Sequence, residues 1–297
     1  MADLFFSLII PTYNRLSHLP GTLRSVLSQQ FDSFEVIVVD DGSKDGTWEW
    51  LEVQEDHRLR IIKQQNAERG AARNTGWAEA RGQYVSFLDS DDQLLPDFFM
   101  KAKQFCEEKA YPTFFHIGYA IADPTSRIKV KVDQLSSGSG DFLLKGNPLS
   151  CIGAFMKREL YPEYSFQADR ALSGSEDWEL WMRIAARYGI ECKHGIHALL
   201  IDHEFRSVMH YNEEALMKRK SLAISSAYAD RWVQEKYAHE VTKVESHWYS
   251  YVALHLALSD QRKRALHYWL QSIRFDWTSI FQRRTLGILK HLMRNHR

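Results

Sequence analysis

Cysteine is scarce in this chain. The three present, Cys106, Cys151 and Cys192, are odd in number and far apart. Neither a disulfide framework nor a zinc ligand set is suggested, and a reducing cytosolic compartment fits. Net charge is missing too. Thirty-eight Lys and Arg balance thirty-eight Asp and Glu, so no global pull toward nucleic acid or membrane exists and no nucleic-acid partner is expected. No apolar stretch is long enough to cross a bilayer. The run at residues 4–10 is short and lacks a basic flank, so it is read as neither signal peptide nor span. After that run there is no G-x-G-x-x-G turn of a nicotinamide dehydrogenase. There is also no Gly-rich, Lys- or Arg-bearing loop of the kind a nucleotidyltransferase would use for a triphosphate. What remains is well supplied with core: 44% hydrophobic and 13% aromatic residues exclude a disordered chain. A length of 297 residues suits one large core, or a catalytic domain with a smaller appendage.

The organising stretch is YVSFLDSDD at residues 84–92. Its first half reads as a buried strand, and that strand runs into three carboxylates within four positions. Such carboxylates are costly to hold together unless a positive charge sits among them. A divalent cation carrying a phosphorylated ligand would supply it. The competing reading is a solvated acidic turn that caps the next helix, with Pro96 near its first turn.

Residues 5–10, 34–39 and 59–63 read as further strands, with helical spacing between them. Regular alternation of this kind predicts an α/β fold: a mainly parallel sheet flanked by helices. Ligands on such sheets bind beyond the carboxyl ends of the strands. Here those ends carry Pro-Thr-Tyr, Asp-Asp-Gly-Ser and Asp-Ser-Asp-Asp. Tyr13 offers a flat ring for a base, Asp41 acceptors for a base or ribose, and Arg73 a fixed fork for a carbonyl or phosphate. Each also has a structural use: packing a loop, capping a turn, or pairing with a neighbouring carboxylate.

Five strings in order, SLIIPTYNR (7–15), SVLSQ (25–29), EVIVVDDGS (35–43), GAARN (70–74) and FLDSDD (87–92), resemble a family 2 glycosyltransferase of the GT-A fold. The resemblance is dense over the first third of the chain and resumes near Gly174. It implies a nucleotide-diphosphate sugar donor, a divalent metal (Mg²⁺ or Mn²⁺), and inverting transfer of a hexosyl or N-acetylhexosaminyl unit to an acceptor hydroxyl. Uridine is the favoured base because it is common in the family. By position, Pro11, Tyr13, Asp41 and Arg73 would hold the nucleoside. Asp91 would be the direct metal ligand, with Asp89 nearer the ribose or a metal-bound water.

Beyond the acidic turn, residues 96–109 read as a helix and 113–120 as one strand. Residues 121–148 turn polar and Gly/Ser-rich, either a flexible loop over the acceptor side or a surface insertion. Residues 150–157 return to strand character, and Gly153 would permit a close backbone approach to an acceptor sugar. In residues 173–185 the apolar positions follow helical spacing, and Ser175 would cap the first turn. Glu176 and Asp177 suit a helix N-terminus on local grounds. The resemblance implies more: Asp177 as catalytic base and Glu176 as an acceptor-positioning residue. After a short apolar strand at 198–201 come Asp202-His203-Glu204-Phe205-Arg206 and His210; as in some relatives, a His or Arg here, Arg206 or His210 above all, would reach the metal-diphosphate, but a polar strand exit is the favoured reading. Processive relatives carry Gln-x-x-Arg-Trp further on. Here Tyr228 precedes Arg231 and Trp232 where Gln is required, which argues for addition of a single sugar.

The expected organisation is a catalytic domain over residues 1–211 and a helical extension over 212–297. Three stripes mark the extension: Trp248, Tyr251, Leu254 and Leu258; Leu266, Trp269, Leu270 and Ile273; and Leu286, Leu289, Leu292 and Met293. Residues 259–297 hold nine Lys or Arg against two Asp, an excess of +7. The stripes either pack together or lie on an anionic membrane surface. The expected enzyme is thus cytoplasmic, with a peripheral place at the inner face of the membrane as an added use. Its acceptor would be a saccharide, free or lipid-linked, in cell-surface polysaccharide or glycolipid synthesis. A non-catalytic sugar-nucleotide-binding or assembly protein is the alternative.

Overall fold

In the computed structural model, residues 4–203 and 213–293 are described. The chain forms two compact units. One comprises Met1–Gly140 and Pro148–Glu204, the other Asp141–Asn147 and Phe205–Arg297.

The first unit is built on a seven-stranded sheet. Its strands are β1 (Phe6–Thr12), β2 (Phe34–Asp40), β3 (Leu59–Lys63), β4 (Tyr84–Phe87), β6 (Phe114–Ile117), β9 (Ala154–Lys157) and β10 (Glu191–Lys193). They lie in the order β10-β6-β9-β4-β1-β2-β3. β1 to β4 are mutually parallel, and only β9 runs against its neighbours, between β4 and β6. β1 and β2 are buried along their whole length, as strands covered on both faces must be. Helices α1 (Leu19–Leu27), α2 (Thr47–Glu52), α3 (Arg69–Ala78), α4 (Phe98–Glu108) and α5 (Glu176–Tyr188) follow the strands or cover them. On α1, Leu19, Leu23 and Val26 recur at helical spacing and enter the same core as Phe6, Leu8 and Ile10. The register of the strands sets where their loops emerge. Thr12 lies opposite Asp40, and Asp40 opposite Lys63, so the loops after these strands leave the sheet at one level.

A second sheet has four strands: β5 (Gln93–Leu94), β7 (Tyr119–Ala122), β8 (Ile128–Val132) and β11 (Ala198–Ile201), in the order β5-β11-β7-β8. The single strand expected at residues 113–120 is therefore two, in two sheets, divided at Gly118. A Cβ there would stand 2.3 Å from the Gly195 carbonyl oxygen and 2.8 Å from Asp133 Cα, so only glycine passes between these backbones. The expected loop at 121–148 also differs, since β8 pairs antiparallel with β7.

In the second unit, α8 (Val241–Leu258) is central, and α6 (Glu213–Ala227), α9 (Arg262–Phe275) and α10 (Arg283–Leu292) pack on it, with α7 (Arg231–Tyr237) before it. Leu216, Val252, Leu256, Ala257 and Ala265 form its core. Residues 141–147 join this unit because Leu143 and Leu144 are buried and the Tyr237 hydroxyl donates to Asp141. Of the three stripes, the first packs, with Trp248 buried and only Leu258 left out. The other two leave Leu266, Leu270, Leu286 and Met293 exposed.

Candidate active site

The loops beyond β1 and β2 are tied to each other before anything else is added. Asn14, at φ +51°, donates its N–H to Ser43 Oγ and accepts the Lys44 N–H on Oδ1. Leu16 N–H donates to Asp45, and Arg15 N–H to Thr47 Oγ1. Pro11 is buried within β1, and Tyr13, just past the strand's end, is 45% exposed. Asp41 is buried and spends its carboxylate on the loop opening α3. Oδ1 accepts from Gln64 Nε2 (2.7 Å) and Ala67 N (2.9 Å); Oδ2 accepts from Asn66 Nδ2 (3.1 Å) and Glu68 N (3.0 Å). Four donors fill the acceptor positions of one carboxylate.

Arg73 crosses the centre of the site. It is 2% exposed and lies over the Phe166 ring. Its Nη2 donates to Asp89 Oδ1 and its Nη1 to Glu176 Oε1, both at 2.7 Å. The other Glu176 oxygen accepts from the backbone of Gly174 (2.6 Å) and Ser175 (3.0 Å). Burial works against the charge of Glu176, but the guanidiniums of Arg73 and Arg69 prevail and hold its carboxyl below the ordinary range. The first turn of α5 is thus fixed by Glu176; the Ser175 side chain makes no capping bond. Trp181, stacked on Phe114 at 5.3 Å, seats the helix on the sheet. This leaves Asp177 in the first turn of α5, partly exposed, accepting the Trp178 N–H at 2.8 Å. Arg73, Asp177, Asp89 and Glu176 all act electrostatically on buried Cys151, and burial together with the three carboxylates keeps that thiol protonated. Residues far apart in sequence are in this way gathered about one point.

The three aspartates after β4 take different jobs. Their carboxylate oxygens can lie within 4.8 Å of one another. Asp92 is buried and accepts the Ile201 N–H at 2.9 Å, tying the acidic turn to β11. Asp89 faces Arg73. Asp91 Oδ2 stands 2.9 Å from His203 Nε2 and 3.8 Å from Arg15 Nε, and His18 lies against the His203 ring at 4.8 Å. At 2.9 Å the imidazole either donates an Nε2 proton to the carboxylate or, with that nitrogen unprotonated, shares a cation with it. Carboxylate oxygen with imidazole nitrogen, and the neighbouring Asp89, is a donor set that fits a divalent ion. His203 Nδ1 is buried without a hydrogen-bond partner among the described residues.

His203 belongs to the segment expected to supply a His or Arg to the metal-diphosphate, although Arg206 and His210 are the residues singled out there. Its place just past the carboxyl end of β11 was the available signal, and only the fold brings it to Asp91, 112 residues back. Arg206 and His210 lie outside the described residues. Gly153 has a local reason to be glycine: at φ +90°, a Cβ would meet the Ile117 carbonyl oxygen at 2.4 Å.

Residues 7–160 match the family described as "Glycosyl transferase family 2". An uncharacterized glycosyltransferase of Rickettsia felis is 31% identical over 194 residues, covering 63% of this chain and 31% of that protein. The chain therefore spans less than a third of such relatives. The "Putative teichuronic acid biosynthesis glycosyltransferase TuaG" of Bacillus subtilis is 33% identical over 157 residues, 52% of this chain and 62% of that one. An Escherichia coli "UDP-Glc:alpha-D-GlcNAc-diphosphoundecaprenol beta-1,3-glucosyltransferase WfaP" is 29% identical, over 63% of this chain and 72% of its own. Among solved structures, S. aureus TarS 1–349 in complex with UDP superposes with a TM-score of 0.68 at 18% identity, over 97% of this chain and 89% of that one. The same protein with UDP-GlcNAc gives 0.66 at 17%, over 93% and 92%. At such identity the likeness is one of fold.

Proposed function

The chain belongs to glycosyl transferase family 2, and from that premise we propose that it moves one sugar, with inversion, from a nucleotide-diphosphate sugar to an acceptor hydroxyl. The observation that carries the reading is the Arg73 bridge. One guanidinium links Asp89 of the acidic turn to Glu176, the neighbour of Asp177. Donor-side and acceptor-side carboxylates are thereby set from a single buried cation.

The residues divide the work. Tyr13 stacks on the base, and Pro11 shapes the strand end beneath it. Asp41 holds the nucleoside edge of the site through the 64–68 loop that it orders. Asp89 and Arg73 address the ribose and the phosphates. Asp91 and His203 would hold a divalent cation, Mg²⁺ or Mn²⁺, whose chemistry there is to neutralise charge on the departing diphosphate. Asp177 accepts the acceptor hydroxyl's proton as that oxygen attacks the anomeric carbon opposite the leaving group. Glu176 is a positioning residue, acting through Arg73 and the Gly174–Ser175 backbone, and Gly153 shapes the acceptor side through the packing of β9 on Ile117. The UDP and UDP-GlcNAc of the TarS complexes support a uridine nucleotide. The WfaP and TuaG likenesses support polysaccharide synthesis, with an acceptor carried on a lipid diphosphate. Among the described residues no helix is long and apolar enough to cross a membrane; we place the enzyme in the cytoplasm, touching the inner membrane face through the basic helices of the second unit.

Incubation with a panel of nucleotide sugars, with and without Mg²⁺ or Mn²⁺, tests this by nucleotide diphosphate release. We expect release that needs the metal. Asp177→Asn should bind UDP as the parent does while transfer drops by about 10²–10⁴. Transfer at near-parental rates would remove Asp177 from the role of base. Release indifferent to metal and to Asp91→Asn would sink the metal-dependent mechanism.

A further inference from the structure

The second unit leaves uncovered what a folded unit ordinarily hides. Sixteen large hydrophobic side chains are exposed among the described residues, and nine of them fall between Leu258 and Met293. The most open are Phe281 at 76%, Met293 at 72%, Leu286 at 70% and Trp277 at 66%. Side chains of this size stabilise a fold when they are buried, and here they stay in solvent.

These groups are not on a loose tail. Trp277–Phe281 is a single 3₁₀ turn between α9 and α10. Asp276 accepts both the N–H and the hydroxyl of Thr278, at 3.0 and 2.7 Å. Ser279 is buried, and its carbonyl accepts the Thr285 hydroxyl at 2.8 Å. With the turn capped by Asp276 and Ser279 buried, Trp277 and Phe281 are left exposed, their rings edge to face at 6.0 Å. Cations lie along the two flanking helices. Residues 259–297 carry the +7 excess, and Lys263, Arg274 and Lys290 are exposed with no ion pair among the described residues.

Charge decides what covers this face. A second copy would bring one basic surface against another, at an electrostatic cost. An anionic lipid surface attracts the cations and takes Trp and Phe at the level of its headgroups. We propose that the Trp277–Phe281 turn, with the flanking exposed faces of α9 and α10, docks on an anionic phospholipid bilayer. Trp277 and Phe281 enter the interface, and Lys263, Arg274 and Lys290 meet lipid phosphates. The proposal deepens the peripheral membrane contact of the proposed transferase and names its residues; its test uses no sugar and no metal, so it stands or falls apart from the transferase reading.

The full chain is sedimented with vesicles of phosphatidylcholine, with and without phosphatidylglycerol. We expect binding to the mixed vesicles that is at least about tenfold weaker on phosphatidylcholine alone and falls with added salt. The double variant Trp277→Ser, Phe281→Ser should lose at least about tenfold in binding with an unchanged melting temperature, since both side chains are exposed in the fold. Lys263→Glu with Arg274→Glu should lose as much by charge alone. No sedimentation with the mixed vesicles, or equal binding by both variants, overturns the proposal. So does a dimer in solution that the double variant converts to monomer, which would make the face an interface between copies.

Discussion

Arg73 carries more of the site than any other side chain, and its removal should be read as an electrostatic event. A buried guanidinium between two carboxylates contributes little to stability by its presence, because desolvation offsets attraction. Taking it away is different: Glu176, 3% exposed, would be left charged in the interior. Arg73→Met should therefore cost about 3–5 kcal/mol in urea unfolding, and a second change, Glu176→Gln, should return part of that loss. If Arg73→Met alone unfolds at the parental urea concentration, the bridge is not what holds these residues together. At Asp91 the expectation is for binding rather than stability. His203→Ala should weaken Mn²⁺ binding, followed by its paramagnetic resonance in solution without any substrate, by at least about tenfold. Unchanged affinity would return His203 to being a mere hydrogen-bond partner. Strand-end position singled out Asp89 and Asp91 as candidates, and the family resemblance singled out Arg73 and Asp177; the structure brings Arg73, Asp89 and Glu176 together. The Asp91–His203 contact was not legible, since no periodicity links positions 112 apart. Nor does sequence disclose that Asp41 spends its carboxylate on the 64–68 loop, or that Glu176 divides its oxygens between Arg73 and the Gly174–Ser175 backbone.

At the scale of elements, β1 to β4 could be read from runs of β-branched and aromatic residues between helical spacings, because strands covered on both faces must be apolar throughout. The region after β4 resisted that reading where the chain changes sheets. β6 and β7 form one apolar run, and what divides them is Gly118 held between the backbones of Gly195 and Asp133, contacts that exist only once the fold does. β8 was missed for another reason: it is an edge strand, its residues exposed or half-exposed with lysines between Ile128, Val130 and Val132, and so it looks like loop sequence. The division at Gly118 has a consequence. A methyl at that position meets backbone, which cannot swing aside as a side chain can, so Gly118→Ala should lower stability by roughly 1–3 kcal/mol. The measurement is the urea midpoint, set against Gly21→Ala, where a Cβ meets nothing within 4 Å. Equal midpoints for the two variants would mean that the sheets part more easily than this packing implies.

Over the whole molecule, buried imidazoles make stability fall with acid in a window where carboxylates are still silent. Burial pushes His116, in the first unit, down to about 3, against a weaker upward pull from its bond to Ile152. In the second unit, burial and then Arg219 and Arg284 push His255 down to about 4. Burial and then Arg284 hold His247 well below its ordinary value, with Arg284 Nη1 at 2.9 Å from its Nδ1. All three are neutral in the fold at pH 7. Once unfolded, each titrates near 6.5, so below that pH the unfolded chain takes up protons that the native chain refuses. Stability contributed by these groups is thus full above about pH 6.5 and is lost progressively as pH falls toward the depressed native values. For His116 alone the loss is about 1 kcal/mol at pH 5.5 and about 2 kcal/mol at pH 5. Glu176, held low by Arg73 and Arg69, adds a loss in the same direction, but only near and below its unfolded value of 4.5. Asp40, raised by burial, works in the opposite sense, also in the carboxylate range. Between about pH 7.5 and 5.5 the imidazoles therefore act almost alone, and they do so in both units. Unfolding in urea at these two pH values should show the midpoint moving down at the lower one, and amide exchange should report the loss in β6 and in α8 alike. A midpoint that holds or rises would mean that the native state accommodates the charged imidazoles. Loss confined to one unit would mean that the other unit opens enough to hydrate its histidine before it unfolds.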